Sequence, residues 1–341
     1  MNFAHTIISW QKKFGRHDLP WQEELSSYRV WISEIMLQQT QVATVKFYFI
    51  RFIQRFPDAS SLAKAPLDDV LSLWAGLGYY RRAQHLHTAA QIVHEQYQGE
   101  VPTDPTILVT LPGIGQSTAH AIASIAGNLP YAILDANVKR VLARFLGIRD
   151  DVEQNSVKSD LFTQAQALMP QDNCRIYTQG MMDLGATVCT KNPTCTICPI
   201  QKDCVAQKKH WQLLIPLKKK KKTKPTRLKY YLLAYNEENI LLVKRSDQTI
   251  WSNLWCLPEF TSEIELNDFI PSAYTGAFYN LTELRHAFTH FHLRLIPVLV
   301  DSSVLDFTWP ANIHKIPLKS LSDYGLPAPI EKILNSRIIA T

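Results

Sequence analysis

Four of the six cysteines in this 341-residue chain crowd into residues 189–204, spaced Cys189-x5-Cys195-x2-Cys198-x5-Cys204. Four soft thiolates on one short loop can surround a single metal centre. The competing use of paired cysteines, disulfides, belongs to secreted chains. No secretory leader is expected here. Met1–His17 is basic and acid-free but poor in Arg and Ser, and it runs directly into a domain-like segment, so no targeting peptide is expected. Zinc and an iron–sulfur cluster both accept four cysteines. Zinc ribbons usually split their ligands into two CxxC pairs, whereas only Cys195 and Cys198 form a close pair here; the separated outer cysteines fit a cubane cluster better. Cys174 and Cys256 lie outside the group and read as buried apolar residues or free thiols.

Length and composition favour two soluble domains. Hydrophobic residues make up 46% and charged residues 19%, which excludes a disordered chain. No apolar run approaches the roughly 18–20 residues that span a bilayer, so no membrane association is expected. A net charge of +6 favours a polyanionic partner without establishing one. Residues 1–205 read as mostly helical. From Tyr28 to Phe56, Val42, Val45, Phe49, Phe52, Ile53 and Phe56 recur at helical steps until Pro57. Further helical patterns cover 67–73, 83–97, 117–126, 137–146 and 158–168. The run Lys218–Lys222 repels itself and reads as an extended linker, with phosphate contact or a nuclear signal as alternatives. Beyond it the pattern is α+β. Tyr230–Tyr235 and Ile240–Lys244 suggest a hairpin across 236–239, His286–Val300 contains another extended stretch, and short helices are expected near 264–269 and 329–334. The expected domains are 1–216, a linker 217–228, and 229–341.

Three places carry possible chemistry. Leu111-Pro112-Gly113-Ile114-Gly115 precedes the Ser117 helix; its glycines permit a tight hairpin, and the free N–H groups at the helix start could hold a DNA phosphate. A plain helix–helix turn would look the same. Removing a base from deoxyribose requires protonation of the leaving base and stabilisation of a cationic sugar, tasks that two carboxylates can divide. Glu34, among Trp31, Ile32, Ile35 and Met36, is one candidate, because apolar surroundings raise a carboxyl pKa; a solvent-facing Glu near a helix start is the alternative. Asp135 is the other, and it also reads as the N-cap of the helix carrying Val138, Val141 and Leu142.

These residues belong to a wider pattern. Leu19-Pro20-Trp21, Ser33–Val42, Gly76-Leu77-Gly78-Tyr79-Tyr80, Leu111–Gly115, Ile133–Val141, Met182-Asp183-Leu184-Gly185-Ala186, the cysteine group and Phe288-Thr289-His290-Phe291-His292 together resemble the A/G-specific adenine DNA glycosylases of the MutY type. The resemblance spans nearly the whole chain. It implies a mainly α helix–hairpin–helix region of two helical subdomains, a [4Fe–4S] cluster on Cys189, Cys195, Cys198 and Cys204, and a Nudix-like α+β C-terminal domain. Leu254–Glu259 is similar to the lead-in of the Nudix fold, but no hydrolase acid cluster follows, so this domain is expected to read a damaged base.

The resemblance further implies the roles of individual residues. Glu34 protonates adenine and Asp135 stabilises the cationic sugar, supported by Asn137. Trp21 and Gln179 line the adenine pocket. Tyr79 enters the stack beside the oxidised guanine, with Leu37, Gln39 and Thr40 near that base; Gln38 is a further DNA-binding residue, and Gly113 and Gly115 form the phosphate-holding hairpin. Phe288, Thr289 and His290 read 8-oxoguanine. The implied substrate is double-stranded DNA with A:8-oxoG or A:G mispairs, bound by a monomer in the bacterial cytoplasm at the nucleoid. Ser117 stands where strand-cleaving relatives place a lysine; a hydroxyl cannot form a Schiff base, so base removal without strand cleavage is expected. The chain departs from the family pattern at three points: five residues rather than six in the first cysteine gap, Ala136 for a glycine, and Thr289 for a serine.

Overall fold

The structure is a computed structural model that describes residues 2–217, 223–246 and 249–336. The lysine run 218–222, read from the sequence as a linker, lies outside the described residues. The chain forms two compact units, Met1–Lys64 with His85–Lys221, and Ala65–Gln84 with Lys222–Thr341. Among the described residues, no helix is long and apolar enough to cross a membrane.

The first unit is helical. Helix Phe3–Phe14, capped by the Asn2 side chain, lies against helix Cys174–Thr187. The approach is close enough that a Cβ on Gly180 would meet Ile7 Cγ2 at 2.8 Å, so glycine is required there. The continuous periodicity of 28–56 does not give one helix. Helix Ser27–Leu37 stops at Gln38, Gln39 takes a left-handed φ of 58°, and a second helix, Val42–Arg55, begins after Gln41. The apolar stripe survives the break: Val45, Phe49 and Phe52 of the second helix are buried. Helix Ala136–Leu146 is bounded by Asp135 as N-cap and Gly147, at φ 74°, as C-cap.

The second unit is α+β. Its strands are β1 (Thr226–Leu233), β2 (Asn239–Lys244), β3 (Trp255–Cys256), β4 (Glu259–Phe260), β5 (Phe278–Asn280), β6 (Leu284–Ala287), β7 (His292–Val300) and β8 (Ile313–Pro317). One sheet runs β4-β1-β7-β5 with β6 also on β7; the other runs β3-β2-β8. β1 and β7 are parallel, with Tyr230 opposite Ile296. The expected 230–244 hairpin forms only at its tip. Asn236 Oδ1 accepts from the Asn239 N–H at 2.7 Å and Tyr235 bridges Ile240, but the strands then part into different sheets. The extended stretch expected within 286–300 is present as β7, onto which β6 folds back through 288–291. Helices Glu263–Phe269 and Ala328–Asn335 stand where the pattern places them. Leu232, Leu241, Phe260, Leu266 and Val298 form the core.

Residues 65–84, assigned from sequence to the N-terminal region, pack in this second unit. Tyr80 Oη donates to the Leu326 carbonyl at 3.3 Å, Gln84 Nε2 to the Ser252 carbonyl at 2.8 Å, and Lys244 pairs with Asp68 at 2.9 Å.

Candidate active site and cysteine centre

Glu34 projects from helix Ser27–Leu37 into a pocket of the first unit. Leu19, Trp21, Gln22, Leu37 and Gln179 also line it. Trp21 is buried edge-on to Phe49, with ring centroids 5.5 Å apart. Burial, and then the nearby Asp135 carboxylate, push the Glu34 carboxyl up to about 7. Near neutral pH this group is therefore part acid and part base, the condition that suits proton transfer.

Asp135 does cap its helix: Oδ1 accepts from the Val138 N–H at 2.7 Å. Its other oxygen accepts from Asn137 Nδ2 at 3.2 Å. Burial raises this carboxyl above the ordinary range, opposed by these hydrogen bonds and by the Arg140 charge. Arg140 donates to Asn137 Oδ1 at 2.8 Å, and its guanidinium also reaches the Cys189 carbonyl and the Gly185 carbonyl, each at 2.7 Å. One helix thus joins the carboxylate to the cysteine loop.

Cys189, Cys195, Cys198 and Cys204 all line one cavity, together with Val141, Val188 and Ile200. Burial pushes the Cys198 thiol up to about 12 and raises Cys195 and Cys204, with the neighbouring thiols adding to each shift. The guanidinium of buried Arg144 donates to Cys189 Sγ at 3.3 Å and to the Thr190 carbonyl at 2.6 Å.

The hairpin Leu111–Gly115 leads into helix Gln116–Ile125. Its two glycines differ. Gly113 needs its φ of 79°, and a Cβ there would meet His85 Cβ at 2.8 Å. Gly115 has an ordinary φ of −86° and open space around it, so backbone strain does not account for it. Ser117 is exposed in the first turn of the helix. Gln38 Nε2 donates to Thr118 Oγ1 at 3.3 Å, which places the 38–41 break beside this helix start. Gln39 is exposed, and Thr40 Oγ1 donates to the Gln38 carbonyl. Leu37 lines the Glu34 pocket.

In the second unit, Tyr79 is 48% exposed in a left-handed conformation, and its hydroxyl lies 3.5 Å from Thr289 Oγ1. Residues 210 positions apart, read separately from the sequence, thus meet at one surface. The turn 288–291 closes through Phe288 N–H to the Phe291 carbonyl at 2.9 Å. Phe288 stacks on Phe291 and contacts Trp251, which leaves Thr289 and His290 exposed at the tip. A large cavity beside this turn is bordered by both Tyr79 and Thr289.

Sequence reasoning passed over Arg16, Gln22, Arg144 and Asp183 as functional candidates. Asp183 was within reach: it stands four residues after Gln179 on one helix, the spacing at which side chains meet. Arg16 carried no such signal, being 167 residues from the aspartate it binds.

Residues 32–163 match the family model of the HhH-GPD superfamily of base excision DNA repair proteins, and residues 230–336 match the NUDIX domain. The chain is 40% identical over 340 residues to the adenine DNA glycosylase of Buchnera aphidicola subsp. Acyrthosiphon pisum, covering 98% of this chain and 97% of that one. It is 33% identical to the adenine DNA glycosylase of Rattus norvegicus, covering 85% of this chain and 69% of the relative. Among solved structures, a thermostable thymine-DNA glycosylase superposes with a TM-score of 0.55 at 30% identity, over 61% of this chain and 95% of that one. A non-covalent endonuclease III–DNA complex, at 22% identity and a TM-score of 0.52 over 61% of this chain and 95% of that one, shares the fold. With a helical repair domain, a NUDIX-type second domain and near-full-length likeness to enzymes of one activity, the chain belongs to the adenine DNA glycosylase family of base excision repair.

Proposed function

We propose that this enzyme removes adenine mispaired with 8-oxoguanine or guanine in double-stranded DNA, by hydrolysis and without cutting the strand. The observation that carries the chemistry is Glu34: a pocket carboxyl held near pKa 7 beside a second carboxylate. A stacked base hides its glycosidic bond, so the adenine is extruded into the pocket before reaction. Glu34 donates its proton to N7 of adenine, which departs as a neutral base. Asp135, held by Val138 and Asn137, stabilises the developing oxocarbenium ion. The resulting Glu34 carboxylate then accepts a proton from the attacking water. The hairpin 111–115 and the Ser117 helix start hold a backbone phosphate, with Gln38, Gln39 and Thr40 beside them. Tyr79, Phe288, Thr289 and His290 form the lesion-reading surface, which the 3.5 Å Tyr79–Thr289 approach supports. The protein acts as a monomer in the cytoplasm, at the nucleoid.

Strand release from an A:8-oxoG duplex tests this. The product should break only after alkali or heat, and borohydride should trap little enzyme on DNA. Ser117→Lys places an amine at the same helix start and should gain a trappable adduct with some strand cleavage. Efficient trapping by the wild type would overturn the hydrolytic assignment; an adduct-free lysine variant would mean that Ser117 does not face the sugar.

Four thiols lining one cavity fit a polynuclear iron–sulfur unit. Deprotonated, they gather negative charge that the buried Arg144 guanidinium offsets. Cys189, Cys195, Cys198 and Cys204 would hold a [4Fe–4S] cluster, which when bound anchors the loop carrying the Arg140 and Arg144 contacts. Purified protein should be brown, with iron and acid-labile sulfide in comparable amounts. Zinc without sulfide would refute the assignment.

A further inference from the structure

We propose that the loop 250–254 braces the two arms of the lesion-reading surface, Tyr79 and the 288–291 turn, at a fixed spacing, and that Trp251 and Gln84 thereby set the preference for 8-oxoguanine over guanine without touching either base. The inference rests on the lesion-reading assignment above and adds to it the residues that hold that surface in shape.

Trp251 carries the brace. Its backbone is left-handed, at φ 59°, a conformation that a bulky side chain keeps only when its surroundings enforce it. They do so here from several sides. The Leu254 N–H donates to the Trp251 carbonyl at 3.0 Å, Arg245 Nε to the Ile250 carbonyl at 3.2 Å, and the Asn253 N–H to the Arg245 carbonyl at 3.1 Å. Arg245 is itself fixed: its Nη1 donates at 2.7 Å to Glu259 Oε2, which also accepts from Tyr231 Oη at 2.9 Å. The indole is 8% exposed and packs against His286 and Phe288, with ring centroids 5.9 and 5.5 Å away. Phe288 also stacks on Phe291, over which the Arg227 guanidinium lies at 4.3 Å. The next residue of the loop reaches the other arm. Gln84 Nε2 donates to the Ser252 carbonyl at 2.8 Å and to its hydroxyl at 3.3 Å. Helix Arg81–Gln96 begins just after Tyr79, and Gln84 stands in its first turn. Neighbouring residues of one loop thus hold one arm each, and the arms meet where the Tyr79 hydroxyl lies 3.5 Å from Thr289 Oγ1. 8-Oxoguanine differs from guanine by one oxygen at C8 and one N–H at N7. Hydrogen bonds weaken steeply with distance and angle, so a surface that reads so small a difference must keep its spacing. Trp251 and Gln84 touch no base on this account; they are positioning residues.

The test uses the full-length enzyme and duplexes carrying adenine opposite 8-oxoguanine or guanine. The readout is the ratio of the two single-turnover release rates, with Tm measured beside it. Trp251→Gly removes the indole but suits the left-handed backbone. It should lower the ratio by about 10–100-fold, a misplacement of about 1 Å costing up to about 100-fold, while release opposite guanine stays near wild type. Trp251→Phe keeps a ring against Phe288 and should retain most of the ratio. Gln84→Met has no donor for Ser252 and should lower the ratio with Tm nearly unchanged; if Trp251→Gly does not fold, this variant decides alone. Val298→Ala is the control. It truncates a side chain in a core cluster of the same unit that does not include Trp251, so it should lower Tm and leave the ratio intact below that Tm. A ratio kept by Trp251→Gly or Gln84→Met, equal losses in Trp251→Phe and Trp251→Gly, or an equal loss in Val298→Ala would each overturn the proposal. A ratio that falls with Thr289→Ala but not with the brace variants defeats this inference alone. A wild type with no preference for 8-oxoguanine defeats the lesion-reading assignment and this inference with it.

Discussion

Glu34→Gln is expected to slow single-turnover adenine release by about 10²–10⁴-fold, the usual worth of a positioned proton donor, while duplex binding changes little. Glutamine keeps the shape and the pocket wall but has no proton to give. The pH dependence is equally specific. Glu34 must be protonated to act as the acid, and burial with the Asp135 charge sets its pKa at about 7. The wild-type rate should therefore fall as pH rises through 7. The same shift bears on stability. Because the folded-state value lies above the ordinary 4.5, the folded protein holds this proton where the unfolded chain has released it. The stability linked to Glu34 is thus fully present below about pH 4.5 and lost as pH rises through about 7. Glutamine has no proton to lose, so the Tm of Glu34→Gln should gain on the wild type between about pH 5 and pH 8. Near-normal cleavage by the variant would remove Glu34 from the acid role. A Tm difference independent of pH would mean that the carboxyl is not held protonated by its surroundings.

The parts of this molecule legible from sequence are those where local chemistry is dense. The cysteine spacing could be read because four sulfurs on a short loop have few separate destinations. Asp135 could be read as a cap because that use depends on immediate neighbours. The break at 38–41 was not legible: it contains no glycine or proline, and Gln39 adopts a left-handed backbone that nothing in its residue type announces. The hairpin at 236–239 was legible as a turn, but not the parting of its strands, which depends on the distant partners β7 and β8.

Residues 65–84 show the same limit at the scale of domains. Their helical pattern was clear, but their packing partners, Ser252 and Leu326 among them, lie far along the chain. This has a practical consequence. Cutting the chain after residue 217 would remove most of the second unit and leave exposed the surface that Leu71 and Tyr80 bury against it. The proposed lesion reading is therefore better tested by point substitution at Thr289, an exposed side chain beside Tyr79, than by truncation.

Asp135 caps its helix and is proposed to stabilise the cationic sugar, and two substitutions separate the two tasks. Asparagine is as good an N-cap as aspartate, so Asp135→Asn should keep the hydrogen bond from the Val138 N–H and leave Tm nearly unchanged. It nevertheless removes the negative charge that would face the cationic sugar, and loss of such a preorganised electrostatic partner costs about 10²–10³-fold in rate. Alanine removes both functions. Asp135→Ala should be as inactive as the asparagine variant and also less stable by about 1 kcal/mol, a Tm lower by about 2–4 °C for a unit of this size. An active asparagine variant would reduce Asp135 to a cap. Equal melting of the two variants would mean that the cap bond contributes nothing to the fold. The contrast is readable because the surroundings of Asp135 are held independently of it: Arg140 bonds Asn137 on one side and the carbonyls of Gly185 and Cys189 on the other, so the helix start keeps its place against the cysteine loop when the carboxylate is gone.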